Sequence, residues 1–172
     1  ARNALSGALD RLLTDEAWGD AHRYAVDVRD PVSTAFLGTQ CHLATEQCGA
    51  LDPGDLDEYE QTGGFQALRK ALDMPPAAIV DHIEAAGLRG RGGGGFPTAR
   101  KWRIVQNAES DAKTVVCNGD EGDPGAFMDR MLLESFPLRV VEGVAIAARA
   151  VGAREAILYI RTEYPLALPR VR

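Results

Sequence analysis

The fold is decided by one stretch of the chain, which contains KTVVC at 113–117, PLRVVEGVAIAARAVG at 137–152 and EAILYI at 155–160. The first and last runs are short and apolar, which predicts two strands, the first of them buried. Pro137 suits the first turn of a helix and Gly152 suits its end, so the middle run predicts a helix. A strand, a helix and a strand in this order predict a βαβ unit with parallel strands.

The N-terminal part of the chain predicts helical and irregular structure. Leu5, Leu9 and Leu12 have the spacing of one helix face. Prolines and glycines then interrupt the sequence as far as Gly54. We therefore expect residues 1–51 to form a helical and irregular N-terminal extension.

Residues 52–172 are expected to form an α/β domain with a mostly parallel sheet. Short helices are predicted within 55–59 and 64–72, and a longer one begins at Pro76 and ends at Gly87. After the second strand the sequence begins a further helix and then stops. We therefore expect the N-terminal part of a Rossmann-like domain that is incomplete at its C-terminus.

The composition is that of a folded, acidic protein. Hydrophobic residues make up 45% of the chain, which separates it from disordered chains. The net charge of −6 disfavours a nucleic-acid-binding protein. The apolar segment Val140 to Val151 contains Glu142 and Arg149, and it is shorter than the roughly 20 residues that span a bilayer. We expect no nucleic acid partner, no membrane insertion and a cytoplasmic location.

The three cysteines give no familiar metal motif. Six residues separate Cys41 from Cys48, which matches neither zinc nor iron–sulfur spacings, although the adjacent His42 leaves a metal-ligand role open as the weaker alternative. Cys117 lies in a predicted buried strand, where free cysteine is common. We expect no metal site.

A glycine-rich run, RGRGGGGFP at 89–97, matches the pattern G-x-G-x-x-G. The dinucleotide fingerprint needs a strand before it, and a helix is predicted there; Phe96 also stands where the phosphate loop of nucleotide hydrolases has Lys. Both nucleotide motifs are excluded, but bare backbone N–H groups can still bind an anion. Five cations without an intervening acid reinforce this interpretation: Arg89, Arg91, Arg100, Lys101 and Arg103. A flexible surface loop and an RNA-binding arginine–glycine tract are the alternatives, and the acidic chain disfavours the second.

A polar loop, NGDEGDPGAFMDR at 118–130, directly follows the first predicted strand, where α/β sheets carry binding loops. Its carboxylates and amide suit ligand hydroxyl groups, which need acceptors as well as donors. A divalent cation or a solvated turn would suit the same residues. The residues alone leave these three interpretations open.

Several ordered motifs together resemble the flavin- and NADH-binding subunit of respiratory complex I. These are GLRGRGGGGFPT at 87–98, KW at 101–102, CNGDEGDPG at 117–125, DR at 129–130 and RTEY at 161–164. The resemblance extends from about Asp52 to the C-terminus. The form NGDEGDPGAFMDR is more similar to the flavin subunits of bacterial NAD-dependent formate dehydrogenases and NAD(P)-linked iron hydrogenases.

The resemblance implies a Rossmann-like FMN-binding domain with an adjacent NAD(H) site. Phe96 and Asp123 would face NAD(H). Asp123 stands where respiratory members usually have Glu, and Ile104 stands where they commonly have a second aromatic residue. No residue is implied as an acid or base catalyst, because the cofactor performs the chemistry. The residues implied to bind FMN are Gly90, Arg91, Gly92, Lys101, Asn118, Asp120 and Glu121.

The implied activity is hydride transfer between NAD(P)H and FMN, followed by transfer of single electrons to iron–sulfur clusters. The parent subunit would carry a 4Fe–4S cluster in a C-terminal part beyond this sequence, and iron–sulfur subunits would be its partners. The location would be the cytoplasm or the cytoplasmic side of a membrane-bound complex, and the isolated chain would be inactive. The alternative is a non-catalytic assembly fragment or a degenerate paralogue that keeps the fold for docking.

Overall fold

The computed structural model describes Ala35 and residues 39–48, 50–110 and 112–172. The chain divides into two compact units, Ala1–Leu51 and Asp52–Arg172. In the first unit residues 44–48 form turns, with the Cys48 N–H donating to the Thr45 carbonyl at 3.0 Å. The helix predicted from the N-terminal leucines lies outside the described residues.

The second unit combines helices with a small sheet. Its described elements are α1 (Leu56–Gln61), α2 (Gln66–Leu72), α3 (Pro76–Ala85), α4 (Thr98–Asn107), β1 (Thr114–Gly119), α5 (Met128–Ser135), α6 (Pro137–Val151), β2 (Glu155–Ile160) and α7 (Ala167–Arg170). None of the helices in the described ranges combines the length and the apolar character that crossing a bilayer requires.

The βαβ prediction is confirmed. β1 and β2 pair in parallel, from Thr114 opposite Glu155 to Gly119 opposite Ile160, and α6, the longer of the two helices between them, packs on both. α6 begins at its N-terminal proline as predicted. It ends at Gly152, whose φ of 74° is a left-handed conformation that glycine adopts without strain.

The prediction of a buried strand is wrong for one face of β1, and β2 is open on the same face of the sheet. Val116, Ile157 and Tyr159 are each more than half exposed, at 58%, 53% and 58%. The alternating residues are more covered, because α6 packs on the sheet from one side only among the described elements. Parallel sheets are normally covered on both faces, so this open face is a departure from the rule.

Two apolar clusters hold the helices together. The larger one joins α2, α3, α4 and α6 through Ala71, Ile79, Val80, Ala99 and Ala150, with Trp102 and Ile146 packed against it. The smaller one joins α5 and α7 with the segment after β2 through Leu133, Tyr164 and Ala167. The first cluster therefore supports α4, and the second supports the loop that follows β1.

The connection between α1 and α2 is fixed by a buried carboxylate on α6. Glu142 accepts hydrogen bonds from the Tyr59 hydroxyl at 2.6 Å and from the backbone N–H groups of Phe65 and Leu68 at 3.0 Å. Gly64 is required here, because an added Cβ would lie 2.2 Å from the Tyr59 ring. Phe65 itself has a left-handed φ of 58°.

We predict that Glu142→Ala destabilises the protein substantially. The change leaves two backbone N–H groups and one hydroxyl without their partner, and each such buried group costs about 1–3 kcal/mol. We therefore expect the free energy of unfolding, measured by urea denaturation, to fall by about 3 kcal/mol or more. The control is Glu155→Ala, because Glu155 is exposed at the start of β2. Equal losses in the two variants would contradict the assigned role of Glu142.

We also predict a loss of stability at alkaline pH that depends on Tyr59. Burial, then the hydrogen bond to Glu142 and its negative charge, raise the pKa of Tyr59 to about 12. The unfolded chain loses this phenolic proton near pH 10 while the folded protein keeps it, so the free energy of unfolding falls as the pH rises from about 10 to about 12. Tyr59→Phe should make this fall shallower in pH-dependent denaturation. Tyr159→Phe, at an exposed position, should leave it unchanged.

Candidate functional site

The glycine-rich loop lies between α3 and α4, and backbone hydrogen bonds join its two ends. The Gly90 N–H donates to the Phe96 carbonyl at 2.9 Å, and the Thr98 N–H donates to the Leu88 carbonyl at 3.0 Å. These bonds flank an antiparallel bridge between Arg89 and Pro97. A helix precedes the loop as predicted, so the loop is anchored at its ends while its glycines remain exposed or half-exposed.

The glycines of this loop face open space. A Cβ added at any position from Gly92 to Gly95 would meet no protein atom within 4 Å. Gly93 and Gly95 have positive φ angles of 98° and 58°, which explains glycine at those two positions. Neither packing nor a left-handed φ explains Gly92 and Gly94, and the absence of their side chains leaves the backbone open to a ligand.

The cations near the loop are not equivalent. Arg103 forms ion pairs at 2.8 Å with both Asp81 and Glu84 on α3, and its hydrogen bonds to Asp81 and then to Glu84 raise its pKa. No acid lies among the five cations in the sequence, but Arg103 is paired with acids that come from a neighbouring helix. Arg89 donates to the Gly95 carbonyl at 2.9 Å and so belongs to the loop itself.

Three cations remain available for a ligand. Arg91, Arg100 and Lys101 are exposed, and within the described ranges no ion pair involves any of the three. Lys101 lies in the first turn of α4, where its N–H donates to the Pro97 carbonyl. Two positive side chains, Arg91 and Lys101, thus accompany the exposed backbone of the glycine loop.

An exposed ring lies next to these cations. Phe96 is 44% exposed, and the Arg100 guanidinium lies 5.6 Å from the centroid of its ring. A cavity of about 380 Å³ opens beside them and is lined by Pro97, Arg100 and Ile104 among others. Ile104 is itself 60% exposed, so this surface offers one aromatic ring and one aliphatic side chain.

The polar loop begins where β1 ends. Asn118 is the second last residue of β1, and its Oδ1 accepts a hydrogen bond from the Asp120 N–H at 3.0 Å. Asp120 is half-buried, whereas Asp123 is exposed and lies in a turn closed by its carbonyl and the Ala126 N–H. Asn118 therefore lies at the end of the strand, and Asp120 lies directly after it.

Glu121 is directed toward the protein. Its carboxylate accepts hydrogen bonds from the N–H groups of Asp129 and Arg130, at 2.8 and 3.0 Å, and from the Tyr164 hydroxyl at 2.7 Å. Its carbonyl accepts a hydrogen bond from Arg161 Nη1 at 3.0 Å. Burial opposes ionisation, but these hydrogen bonds outweigh it and lower the pKa of Glu121.

Burial and nearby negative charges also raise the pKa values of two residues close to Glu121. Burial, and then the negative charge of Glu121, raise the pKa of Asp129. Burial, and then the charge of Asp129, raise the pKa of Cys117, which stays a half-buried thiol on β1. In the described part of the chain, no three His, Cys, Asp or Glu side chains are arranged to hold a metal ion. That Cys41 and Cys48 bind no metal stays a prediction.

The predicted site residues fall into two groups. Gly90, Arg91, Gly92, Phe96 and Lys101 surround the start of α4, whereas Asn118, Asp120, Glu121 and Asp123 follow β1. No hydrogen bond or ion pair between described residues links the two groups. The C-terminal end of α4 is attached to α6 by Gln106 Nε2, which donates to the Ala150 carbonyl at 2.9 Å. The start of α4, next to the glycine loop, therefore lies about 12 Å along the helix axis from this attachment.

Two residues that position the polar loop have no role predicted from the sequence. Tyr164 and Arg161 belong to the RTEY motif at 161–164, and both contact Glu121. Their position just after β2 could have indicated this role. The carboxyl ends of paired parallel strands lie side by side, so residues that follow β2 can reach residues that follow β1.

Comparison with known proteins assigns this region to a family. Residues 83–172 match the family model described as the Nuo51 FMN-binding domain. The NADP-reducing hydrogenase subunit HndC of Solidesulfovibrio fructosivorans is 50% identical over 133 residues, which cover 77% of this chain and 27% of that protein. The NADH-quinone oxidoreductase of Aquifex aeolicus has a subunit that is 50% identical over 111 residues, which cover 64% of this chain and 26% of that protein. The chain thus spans about a quarter of the length of these relatives.

Two solved hydrogenase structures also align with this chain. The NAD⁺-reducing NiFe hydrogenase in the air-oxidised state aligns with a TM-score of 0.59 and 45% identity, covering 69% of this chain and 21% of that chain. The H₂-reduced state of an NAD⁺-reducing NiFe hydrogenase aligns with a TM-score of 0.60 and 32% identity, covering 99% of this chain and 27% of that chain. The predicted α/β fold class is confirmed.

We predict that Gly92→Ala separates ligand binding from stability. An alanine here meets open space and needs no positive φ, so the free energy of unfolding should change by about 0.5 kcal/mol or less. If a phosphate-bearing ligand approaches the bare backbone, the added methyl should weaken FMN binding about fivefold or more. Gly95→Ala is the contrasting variant, because its φ of 58° makes alanine strained in the absence of ligand. Fluorescence titration with FMN and urea denaturation of both variants measure the two effects. Unchanged FMN affinity in Gly92→Ala would contradict a close approach at this glycine.

Proposed function

Because this chain belongs to the Nuo51 FMN-binding domain family, we propose that it forms the FMN-binding part of an NAD(P)H-linked oxidoreductase subunit. The observation that carries this proposal is the glycine loop, whose open backbone lies beside Arg91 and Lys101. A flavin phosphate needs N–H donors and cations at close range, and this arrangement offers both. The residues present therefore fit FMN.

The glycine loop and the polar loop have complementary tasks in this proposal. Gly90 and Gly92 let the phosphate and the ribityl chain approach the backbone, and Arg91 and Lys101 neutralise the negative charge. The Asn118 amide donates hydrogen bonds to the ribityl hydroxyls and accepts hydrogen bonds from them, and the Asp120 carboxylate accepts hydrogen bonds from them. Glu121 contributes by fixing the loop and through its main chain, because its carboxylate already accepts three hydrogen bonds from the protein.

The nicotinamide nucleotide would lie over the exposed surface next to the glycine loop. Phe96 presents a ring that is almost half exposed, and aromatic faces of this kind stack on flat heterocycles. Asp123 is exposed and suits a ribose hydroxyl. The relatives with NADP-reducing, NAD-reducing and NADH-quinone names support a nicotinamide nucleotide as the partner of the flavin.

The chemistry of the complete protein follows from its cofactors. When bound, FMN accepts a hydride from NAD(P)H, or donates one to NAD(P)⁺ in the reverse direction, and it exchanges single electrons with iron–sulfur clusters. The side chains of this chain bind and orient the flavin and set the charge around it, and none is required as an acid or base. Iron–sulfur subunits of a multi-subunit redox complex are the proposed partners, and a 4Fe–4S cluster is proposed for the part of the parent subunit beyond this sequence. The proposed location is the cytoplasm or the cytoplasmic face of a membrane-bound complex.

We predict that Arg91→Ala combined with Lys101→Ala removes most of the FMN from the complete encoded protein. Each hydrogen bond to a charged partner contributes about 1.5–3 kcal/mol, so losing both should weaken FMN binding about 100-fold or more. Flavin absorbance per mole of purified protein measures the bound fraction, and far-ultraviolet circular dichroism verifies that the fold is intact.

The matched control is Lys70→Ala combined with Arg154→Ala, which removes the same charge from exposed positions outside both loops. We expect this control to retain its flavin. Equal flavin content in the two double variants would contradict the assignment of Arg91 and Lys101. A complete protein that never contains flavin would instead favour a non-catalytic role in assembly.

A further inference from the structure

The backbone of Glu121 has a conformation that needs support. Its φ of 45° lies in the left-handed region, which residues with a Cβ rarely adopt. Asn and Asp visit this region more readily than Glu. Among the described residues, only Phe65 shares a positive φ without being glycine. The loop therefore keeps this shape because its surroundings hold it.

The support comes from both ends of the residue. On the carboxylate, Oε1 accepts from the Asp129 N–H, and Oε2 accepts from both the Arg130 N–H and the Tyr164 hydroxyl. On the main chain, the carbonyl accepts from Arg161. The carboxylate of Glu121 is therefore fixed to the start of α5 and to the segment after β2, and its carbonyl is fixed to that same segment.

The Tyr164 hydroxyl donates to Glu121, and the Tyr164 side chain also lies against Arg130 and Arg161. Tyr164 is buried, with 6% of its surface exposed, and its hydroxyl points to the Glu121 carboxylate at 2.7 Å. The guanidinium groups of Arg130 and Arg161 lie 5.5 and 5.9 Å from its ring centroid. Such cation–π contacts hold the ring in place, so removing only the hydroxyl would leave its packing intact.

We propose that Tyr164, together with Arg161, is a positioning residue that holds the polar loop in the shape that binds the flavin. This inference rests on the proposed function and deepens it. Tyr164 does not touch the cofactor. It fixes Glu121 in the left-handed conformation, and this conformation sets the direction in which Asp120 and the following backbone N–H groups point. Loss of the hydroxyl leaves the strained backbone of Glu121 with weaker support, and the loop samples other shapes.

The test compares Tyr164→Phe with Tyr159→Phe in the complete encoded protein. Tyr159 is 58% exposed on the open face of the sheet and makes no contact with Glu121 among the described hydrogen bonds, so its variant controls for the loss of a phenol. Hydrogen exchange of the Asp129 and Arg130 amides reports the shape of the loop without any ligand. Fluorescence titration with FMN, and the visible circular dichroism of the bound flavin, report its consequence.

We expect Tyr164→Phe to speed exchange of these two amides about threefold or more, to weaken FMN binding about tenfold and to alter the flavin dichroism. Tyr159→Phe should match the wild type in all three measurements. A third variant, Glu121→Gly, removes the carboxylate and adopts a positive φ without strain. In that background Tyr164→Phe should change FMN affinity by less than about twofold, because its partner is absent.

The outcomes separate this inference from the function on which it rests. A wild-type protein that binds no FMN overturns both. A wild-type protein that binds FMN, with Tyr164→Phe equal to it in affinity and dichroism, overturns the positioning role alone. A Tyr164→Phe effect that persists in full in the Glu121→Gly background also overturns it, because Tyr164 would then act by another route.

Discussion

The in-register parallel pairing of β1 with β2 is the interaction on which the candidate site depends. Because Gly119 lies opposite Ile160, the loop that follows β1 and the segment that follows β2 leave the sheet side by side. Glu121 can therefore contact Arg161 and Tyr164, which are 40 and 43 residues away in sequence. A shift of the register by one residue would separate these groups and reverse the faces to which the strand side chains point.

Two helices of this protein are capped in the same way, each by a glutamate from outside the helix. Neither α2 nor α5 has a side-chain hydrogen bond from its own N-cap residue, which is Phe65 in one case and Phe127 in the other. Glu142 accepts two N–H groups at the start of α2, and Glu121 accepts two at the start of α5. The first N–H groups of a helix need acceptors, and a carboxylate also suits the positive end of the helix dipole.

Each of these glutamates also accepts a tyrosine hydroxyl, and each arrangement fixes a residue with a left-handed backbone. Tyr59 donates to Glu142 beside Phe65, and Tyr164 donates to Glu121. A non-glycine residue with positive φ stores roughly 1–3 kcal/mol of strain, and it persists only where several contacts define its position. The protein uses one such arrangement to join α1 and α2 to α6, and the other to shape the loop after β1.

The secondary structure that depends on local residue preferences can be predicted from the sequence alone. The βαβ unit, the start of α6 at Pro137 and its end at Gly152, and the exposed glycine loop follow from hydrophobic periodicity and from the backbone preferences of proline and glycine. Two features depend on the tertiary structure. These are the cations that remain available for a ligand and the role of the Glu121 carboxylate as a hydrogen-bond acceptor for α5. Arg103 is neutralised by acids from α3, and α5 begins at Met128, in a segment that the sequence predicts as a polar loop, where Glu121 accepts its first N–H groups. These outcomes depend on how separate elements pack against one another, and local sequence patterns contain no information about that packing.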